Sequence, residues 1–361
     1  MFGFGKKDKK TDFDAVVNNG EATVTVKKGD NLLKAALESG LAWPHDCRVG
    51  SCGTCKCVVK KGKIKALTDF SYVLDGDQLK AGTVLACQTV LKTDIEVEVE
   101  MGDTPVAEIL NLNGKISSVT DLTHDIKELV VKCDGNFTRD MMAGQYAEIS
   151  ITDISTPRSY SFAKAPKNEN EGEFSFYIRK VPGGEFTEWL FAENRVGTDI
   201  SLSAPFGQFY HRPLPSHMVC MAGGSGMSAI KAILEECVLD QVERNCIFLF
   251  GAQTEKDLYC MDDMMRIKEQ WNKNYTFEFV EVLSADEEGS SWTGPTGFVT
   301  DYFKEAYLDT SKFDLKDAQG YLCGPPPMID AAIAMLKSGG INEESIYYDK
   351  FLDASSIPGG R

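Results

Sequence analysis

The most constraining feature of this sequence is a group of four unequally spaced cysteines. Cys47, Cys52 and Cys55 follow the pattern Cys-x4-Cys-x2-Cys, and Cys87 lies 32 residues beyond the last of them. This is the spacing of a plant-type [2Fe–2S] site, in which thiolates hold iron and a glycine-containing loop lets backbone N–H groups approach the sulfides. The alternative is zinc, but zinc sites usually combine two short cysteine pairs, and Cys87 stands alone. Cys57 is left over, and we interpret it as a buried thiol.

The length and charge of the chain limit its number of domains and the kinds of partner it can bind. With 361 residues it suits two or three domains. Its 38 basic and 54 acidic residues give a net charge of −16, and phosphate backbones repel such a surface, so we expect no nucleic-acid partner. No segment approaches the roughly 18 apolar residues of a membrane helix, and the basic start lacks the apolar run of a signal peptide. We therefore expect no transmembrane segment and a cytoplasmic location, where the 11 cysteines are ligands or buried thiols.

Up to about residue 102, the pattern combines strands with a helix. Residues 22–26 and 95–100 alternate between polar and apolar side chains, which predicts strands. Between them, a helix with one apolar face is predicted to begin at Asp30 as its cap and to end at Gly40.

The middle of the chain, up to about residue 215, is rich in strand patterns. Glycine and proline separate these runs, a combination that predicts an antiparallel barrel. The predicted strands span residues 126–132, 146–151, 158–164, 174–180 and 199–203.

The last part alternates short apolar strands with helices. Such alternation predicts a parallel sheet with a binding crevice at the carboxyl ends of its strands. The predicted strands span residues 218–222, 246–250, 277–283 and 321–323, with an amphipathic helix over 227–238.

Two motifs of the middle part have the chemistry to bind a nucleotide with an apolar ring. Residues 158–161 read Arg-Ser-Tyr-Ser. Arg158 offers a guanidinium fork for a pyrophosphate, Tyr160 a ring for stacking and Ser161 a hydroxyl for a ring nitrogen. Residues 181–187 form a glycine turn that runs into a helix N-terminus, a second phosphate cradle. Together they predict a flavin site; the alternative is a hairpin turn beside a surface strand.

Two motifs of the last part predict a nicotinamide site. Residues 223–226 read Gly-Gly-Ser-Gly between a predicted strand and helix, where glycines let the backbone approach a pyrophosphate. Residues 323–328 read Cys-Gly-Pro-Pro-Pro-Met, so the Cys323 thiol could face the nicotinamide in a loop fixed by prolines. The alternative for the second motif is a rigid turn.

The loop after the second strand of this part bears on the coenzyme. Its Lys256 is flanked by Glu255 and Asp257, so the 2′-phosphate of NADPH would meet two carboxylates. Gln253 could instead bond the free ribose hydroxyls of NADH. The loop therefore predicts NADH, unless it points away and Arg266 or another cation supplies the contact.

These motifs, in this order, resemble the ferredoxin–NADP reductase superfamily with an N-terminal plant-type ferredoxin domain, and within it the reductase components of bacterial oxygenases. The likeness covers about residues 20–352 and depends on residues 43–55, 158–162, 181–184, 204–209, 257–260 and 321–328. It implies a β-grasp (α+β) ferredoxin domain over residues 1–102, a six-stranded antiparallel FAD-binding barrel over 103–214 and an α/β parallel-sheet NAD-binding domain over 215–361.

The resemblance also implies roles for individual residues. Ser161, Cys323 and Phe351 would lie at the reacting centre, with Phe351 as the aromatic residue that covers the flavin. The other candidate residues for FAD are Arg158, Ser159, Tyr160, Ile178, Val181, Gly183, Gly184 and Thr187. The other candidates for the dinucleotide are Gly223, Gly224, Ser225, Gly226, Gln253, Gly324 and Pro325. One departure is that Ala229 replaces a proline of the family motif, which removes a preset helix start and should loosen the loop without abolishing binding.

The function implied is an NADH-dependent reductase that passes electrons through FAD and the [2Fe–2S] cluster to a separate terminal oxygenase. The expected acceptor is a hydrocarbon-hydroxylating di-iron enzyme; if that enzyme is membrane-bound, this chain would lie at the membrane only when docked. Four scattered histidines and the lack of a Glu-x-x-His pair argue for oxygen activation on another polypeptide. Reductases of Rieske dioxygenases and deoxysugar dehydratases stay open as alternatives, as does a non-enzymatic iron–sulfur carrier or redox-regulated binding protein.

Overall fold

The protein is described from a computed structural model. The structure describes residues 12–45, 48, 50, 53–101, 109–135, 141–154, 156–166, 172–285, 291–310 and 315–351. The chain divides into two compact units, residues 1–108 and 109–361.

The first unit contains a mixed sheet and one main helix. Its strands are β1 Phe13–Val17, β2 Ala22–Val26, β3 Lys56–Lys61, β4 Ile64–Ala66, β5 Thr83–Leu85, β6 Thr89–Leu91 and β7 Ile95–Glu98, and its helices are α1 Leu32–Glu38 and α2 Gly76–Lys80. The sheet order is β2-β1-β7-β3-β5, with β1 and β7 parallel, and a ribbon joins β4 to β6. α1 packs its buried leucines and alanines near β2 and β6. The expected α+β ferredoxin domain is confirmed.

The start of α1 differs by one residue from the prediction. Asn31, not Asp30, caps the helix, because its Oδ1 accepts a hydrogen bond from the backbone N–H of Lys34 at 2.8 Å. Asp30 instead pairs with the Lys34 ammonium at 2.7 Å. The preceding turn, in which the Asp30 N–H bonds the Lys27 carbonyl, leaves Asn31 extended directly before the helix, as an N-cap requires.

The second unit begins with a six-stranded antiparallel barrel. Its strands are β8 Leu110–Asp121, β9 Ile126–Cys133, β10 Tyr146–Ser150, β11 Arg158–Ser161, β12 Glu173–Arg179 and β13 Asp199–Phe206. Helix α3, Glu185–Ala192, lies between β12 and β13 along the chain. The order is β11-β10-β13-β8-β9-β12. A bridge between Phe162 and Phe176 brings the two edge strands together and nearly closes the barrel. The expected barrel is confirmed.

β8 has no counterpart among the predicted strands. Its sequence alternates between polar residues and apolar residues or glycine only as far as Ser117, and its pairing with β9 shifts register between Ile116 and Ser118. The two-residue period therefore marks only the first part of the strand in the sequence.

The unit continues with a five-stranded parallel sheet. Its strands are β14 Met218–Gly223, β15 Cys246–Ala252, β16 Phe277–Leu283, β17 Gln319–Gly324 and β18 Ile346–Lys350, and its helices are α4 Met227–Leu239, α5 Met261–Gln270, α6 Val299–Phe303 and α7 Pro326–Ser338. The strand order is β16-β15-β14-β17-β18. From β14 the chain first adds strands on one side and then, from β17, on the other, and α/β folds bind ligands at such a switch point. Within the described ranges, no helix is both long and apolar enough to cross a membrane.

The barrel and the parallel sheet share a hydrophobic core. Ile126, Ala163 and Tyr177 of the barrel belong to the same buried cluster as Met218 and Phe248 of the sheet. This common core explains why the two folds form one compact unit. The predicted boundary at 214/215 falls between β13 and β14, and the one at 102/103 lies outside the described residues, so both boundaries stay predictions.

Candidate functional site

The fold brings two of the four candidate cluster ligands together. Cys55 directly precedes β3, and Cys87 follows β5, the strand that pairs with β3. The Ala86 N–H donates to the Cys55 carbonyl at 3.1 Å, so two segments far apart in sequence lie side by side, and both cysteines are buried. Cys47 and Cys52 lie outside the described residues.

The backbone around Cys55 requires glycine at two places. Gly50 and Gly53 have φ of +85° and +76°. A Cβ on Gly50 would lie 2.6 Å from Cγ of Gln88, the residue after Cys87. The loop backbone at Gly50 therefore lies close to the residue that follows Cys87. A [2Fe–2S] cluster needs such a closely approaching loop, because its sulfides accept hydrogen bonds from nearby backbone N–H groups.

The leftover thiol of this unit is enclosed in the sheet. Cys57 lies on β3 and is buried, and this burial raises its pKa above the usual range for a thiol. A neutral, enclosed thiol supports the interpretation of Cys57 as a core residue rather than a ligand.

The Arg-Ser-Tyr-Ser motif forms β11 and lies beside the second phosphate cradle. The Arg158 guanidinium donates to the Thr156 carbonyl at 2.6 Å and lies 3.6 Å from the Glu185 carboxylate in the first turn of α3. The Tyr160 ring lies 5.4 Å from that of Phe186 in the same turn. The two predicted phosphate-binding features therefore lie side by side, and Ser159 is the exposed residue of the motif.

The glycine turn before α3 is held from within. Thr187 Oγ1 accepts a bond from the Val181 N–H at 3.1 Å and lies 3.1 Å from the carbonyls of Val181 and Gly184. Gly183 has φ +74° with open space beside it. The Thr187 hydroxyl thus stabilises the turn, which leaves backbone N–H groups of the first turn of α3 for a phosphate. Ile178 is wholly buried in the barrel core, backbone included, so its contact with the flavin stays a prediction.

The three residues predicted at the reacting centre lie near one another, with one further residue. Pairing of β17 with β18 places Cys323 beside Asp349, and the Phe351 N–H donates to the Gly324 carbonyl at 2.9 Å. Ser161 Oγ lies 3.4 Å from Asp349 Oδ2 and donates to it, with 4% and 8% of the two residues exposed. The flavin-motif strand and the last two strands of the sheet therefore meet at one buried point.

The Gly-Gly-Ser-Gly segment forms the turn between β14 and α4. Gly224 has φ +55°, and a Cβ on Gly226 would lie 2.2 Å from the Cys323 carbonyl, so glycine is required for this approach. The Ser228 hydroxyl donates to the Ser225 carbonyl at 2.8 Å and ties the turn to the helix. This bond anchors the loop directly before Ala229, the position at which the family motif has proline.

A cavity of about 540 Å³ opens at the carboxyl ends of the parallel strands. Gly223, Gly224, Gln253 and Pro325 line it, as predicted for a dinucleotide site. The charged residues that line it in the described part of the chain are Asp125, Arg179, Asp257 and Asp301. Glu255, Lys256 and Arg266 are not among the lining residues; Arg266 pairs with Asp263 and Glu235.

The cavity includes two charged barrel residues, Asp125 and Arg179, that belong to none of the predicted motifs. Arg179 Nε donates to Asp125 at 2.7 Å, and a Cβ on Gly224 would lie 3.4 Å from Arg179 Nη1. This guanidinium therefore borders the turn of residues 223–226, which we call the coenzyme turn. Burial acts to raise the pKa of Asp125, but the hydrogen bond and charge of Arg179 hold it below its usual value. In the sequence, the position of Arg179 near the end of the predicted strand 174–180 could have indicated a binding residue. For Asp349 the signal was the Ile-Tyr-Tyr run of β18.

The folds and sites together define an oxidoreductase that binds FAD and NADH and carries its own [2Fe–2S] domain. Models of three families match: the 2Fe-2S iron-sulfur cluster binding domain over residues 16–92, the oxidoreductase FAD-binding domain over 113–211 and the oxidoreductase NAD-binding domain over 220–333. They follow the order of the mixed sheet, the barrel and the parallel sheet.

Whole-chain comparisons identify the family. The chain is 40% identical over 329 residues to the xylene/toluene monooxygenase electron transfer component of Pseudomonas putida, with 90% of each chain covered. It is 31% identical to the reductase component of phenol 2-monooxygenase from Pseudomonas sp. strain CF600, with 93% of each covered. The solved ferredoxin reductase in carbazole 1,9a-dioxygenase is 28% identical, with a TM-score of 0.76 over 94% of this chain and 98% of that one. The chain belongs to the ferredoxin reductase family with an N-terminal [2Fe–2S] domain, which confirms the resemblance.

Proposed function

We propose that this chain is the reductase component of an oxygenase system, which passes electrons from NADH through FAD and its own [2Fe–2S] cluster to a separate oxygenase. The observation that carries the proposal is the buried meeting of Ser161, Cys323 and Asp349, where the barrel strand of the flavin motif faces the last strands of the coenzyme sheet. In the first unit of the same chain, Cys55 and Cys87 come together in a way suited to a cluster.

The cofactors would supply the redox chemistry, because a bound flavin can accept a hydride from NADH and pass the two electrons on singly to the cluster. The chain's own residues bind and orient. Arg158 and the first turn of α3 would hold one pyrophosphate, and Arg179 with the Gly224 turn the other. The Ser161 hydroxyl donates its one proton to Asp349, which fixes its direction and leaves its oxygen lone pairs to accept a hydrogen bond from a protonated ring nitrogen. Because this point is buried, water is excluded from it.

The acceptor is a terminal oxygenase, and we propose a hydrocarbon-hydroxylating di-iron enzyme. Support comes from the relative at 40% identity, which is the electron transfer component of a xylene/toluene monooxygenase. If that acceptor is membrane-bound, we propose that this cytoplasmic chain lies at the membrane only while docked. A Rieske-type system is the second candidate, because the electron transfer component of toluate 1,2-dioxygenase from Pseudomonas putida is also a relative, at 29% identity.

The test uses the full chain loaded with FAD and cluster, under anaerobic conditions. NADH should bleach the flavin and then the cluster, and the reduced protein should support product formation by a candidate oxygenase. In Cys87→Ser, the flavin should still bleach, iron and acid-labile sulfide should fall, and oxygenase turnover should be lost. Cys57→Ser is the matched control and should keep its cluster.

Two results would contradict the proposal. If NADH leaves the flavin of the intact protein oxidised, the chain is an iron–sulfur carrier or a redox-regulated binding protein instead. If Cys87→Ser drives the oxygenase as well as the intact chain does, the route through the cluster is wrong.

A further inference from the structure

A buried ion pair lies on α4, the helix that follows the coenzyme turn. Lys231 Nζ lies 2.7 Å from Glu235 Oε1, one helical turn away, and the residues are only 1% and 6% exposed. Removing two charges from water is costly, and a well-packed apolar pair of similar volume is often as stable or more so. Stability alone is therefore a poor explanation for this pair.

Both charges bond to the main chain of the barrel. Lys231 Nζ donates to the Ala163 carbonyl at 3.2 Å, and Glu235 Oε2 accepts from the Ala165 N–H at 3.1 Å. These two alanines follow Ser161 of the flavin motif by two and four residues. The pair thus connects α4 to the continuation of the flavin strand through two directional bonds, which apolar side chains could not supply.

A second connection runs in parallel from the barrel to the coenzyme turn. The Cys260 thiol donates to the Tyr177 hydroxyl of β12 at 3.4 Å, and the neighbouring Tyr259 hydroxyl donates to the Gly224 carbonyl at 2.9 Å. Lys231 Nζ lies 5.9 Å from the centre of the Tyr177 ring, so the two connections are neighbours. They account for the Asp-Leu-Tyr-Cys segment that the family resemblance included but to which no role was given.

We propose that Lys231 and Glu235 are positioning residues for hydride transfer, which fix the distance and angle between the coenzyme turn and the flavin strand. This inference depends on the proposed function. In the step they position, NADH loses a hydride, which is two electrons with one proton, becomes NAD⁺ and reduces the flavin. A misplacement of about 1 Å between reacting groups costs ~100-fold in rate, so loss of a directional tether should slow this step.

The decisive variant is the double replacement Lys231→Met with Glu235→Leu in the FAD- and cluster-loaded full chain. It removes both charges together, so no unpaired buried charge remains, and Arg266 keeps Asp263 as a partner. The thermal unfolding midpoint should therefore fall only by what the Ala163 carbonyl and the Ala165 N–H lose with these bonds. Flavin reduction at saturating NADH, followed by stopped flow, should be ~10-fold slower or more. The long-wavelength charge-transfer absorbance of the NADH complex should weaken. The Kd for NADH should change little, because neither Lys231 nor Glu235 lines the cavity.

Single variants keep the proposal testable if the double variant does not fold. Glu235→Gln retains an oxygen for the Ala165 N–H but cannot hold the ammonium of Lys231, and it should reduce about 3- to 10-fold more slowly. The matched control is Lys337→Met, which breaks an exposed ion pair with Glu343 on α7 and should reduce at the wild-type rate.

Two outcomes separate this inference from the proposed function. If the double variant, or Glu235→Gln where the double variant does not fold, keeps the wild-type reduction rate and charge-transfer absorbance, the pair is purely structural and the inference is wrong. If NADH does not bleach the flavin of the wild type, the proposed function itself fails.

Discussion

At the scale of residues, the candidate reacting centre depends on a single buried contact. Ser161 and Asp349 are 188 positions apart and meet through one hydrogen bond of 3.4 Å. A hydroxyl held by a carboxylate has a fixed direction, which a hydroxyl in an open site lacks. The residue that supplies this direction, Asp349, is the one that the motifs did not indicate.

Replacing either partner of this contact should slow flavin reduction. Ser161→Ala removes the hydroxyl, and we expect a rate loss of ~10- to 100-fold with FAD retained. Asp349→Asn keeps an oxygen acceptor for the hydroxyl and should lose less than Asp349→Ala. Stopped-flow flavin bleaching measures all three. Ser201→Ala, which removes an exposed hydroxyl of β13 bonded to Asn113, is the control. Wild-type rates in Ser161→Ala would remove this residue from the reacting centre.

Residue charges in the cavity also predict the coenzyme. Three carboxylates, Asp125, Asp257 and Asp301, line the cavity with one described cation, Arg179, which is already paired with Asp125. An added 2′-phosphate should cost about 1–3 kcal/mol, or roughly 5- to 150-fold in kcat/KM for NADPH relative to NADH. Raising the salt concentration should reduce this ratio by screening. Equal kcat/KM values for both coenzymes at moderate salt would overturn the prediction.

At the scale of elements, predicted and observed strands agree where the local period of the sequence is regular. The predicted strands over 126–132 and 277–283 agree closely with β9 and β16, because continuous alternating or apolar runs mark both. β8, β18 and, in the first unit, β1 and β3 to β6 have no counterpart among the predicted strands. β16 lies at the opposite edge of the sheet from β18 and was predicted, so edge position does not explain the difference. β18 has only five residues and ends in Asp349 and Lys350, which leaves too short an apolar run to mark a strand.

The cluster loop gives a prediction at this scale. In Gly50→Ala, the added methyl group would meet Gln88 and a left-handed backbone, a strain of about 1–2 kcal/mol in the loop that joins the ligands. We expect less iron and acid-labile sulfide per protein. Gly76→Ala is the matched control, since that glycine is helical and has open space around it. Full cluster content in Gly50→Ala would show that the loop tolerates the methyl group.

At the scale of the whole molecule, the two compact units predict how the chain can be divided. Barrel and parallel sheet share one core, whereas residues 1–108 have their own sheet. A fragment lacking residues 1–102 should therefore fold, bind FAD and reduce ferricyanide with NADH. It should fail to reduce cytochrome c efficiently or to support the oxygenase, because it lacks the cluster.

The reciprocal cut supplies the control. Division between residues 214 and 215 would expose the core shared by Ala163, Tyr177 and Phe248, so we expect both pieces to aggregate or to unfold at lower temperature. If the fragment lacking residues 1–102 drives the oxygenase as well as the intact chain, the cluster is not on the electron path.

The sequence by itself determined the three cofactor-binding folds and most of the candidate residues around each cofactor. Each depends mainly on short-range chemistry: three of the four candidate cysteines in one loop, Arg-Ser-Tyr-Ser on one strand, and a glycine turn between one strand and one helix. Only the tertiary structure decided which distant residues meet. Asp349 reaches Ser161, Arg179 borders Gly224, and Lys231 bonds the main chain beyond the flavin motif. These contacts arise from the packing of the barrel against the parallel sheet, and no local period in the chain encodes that packing.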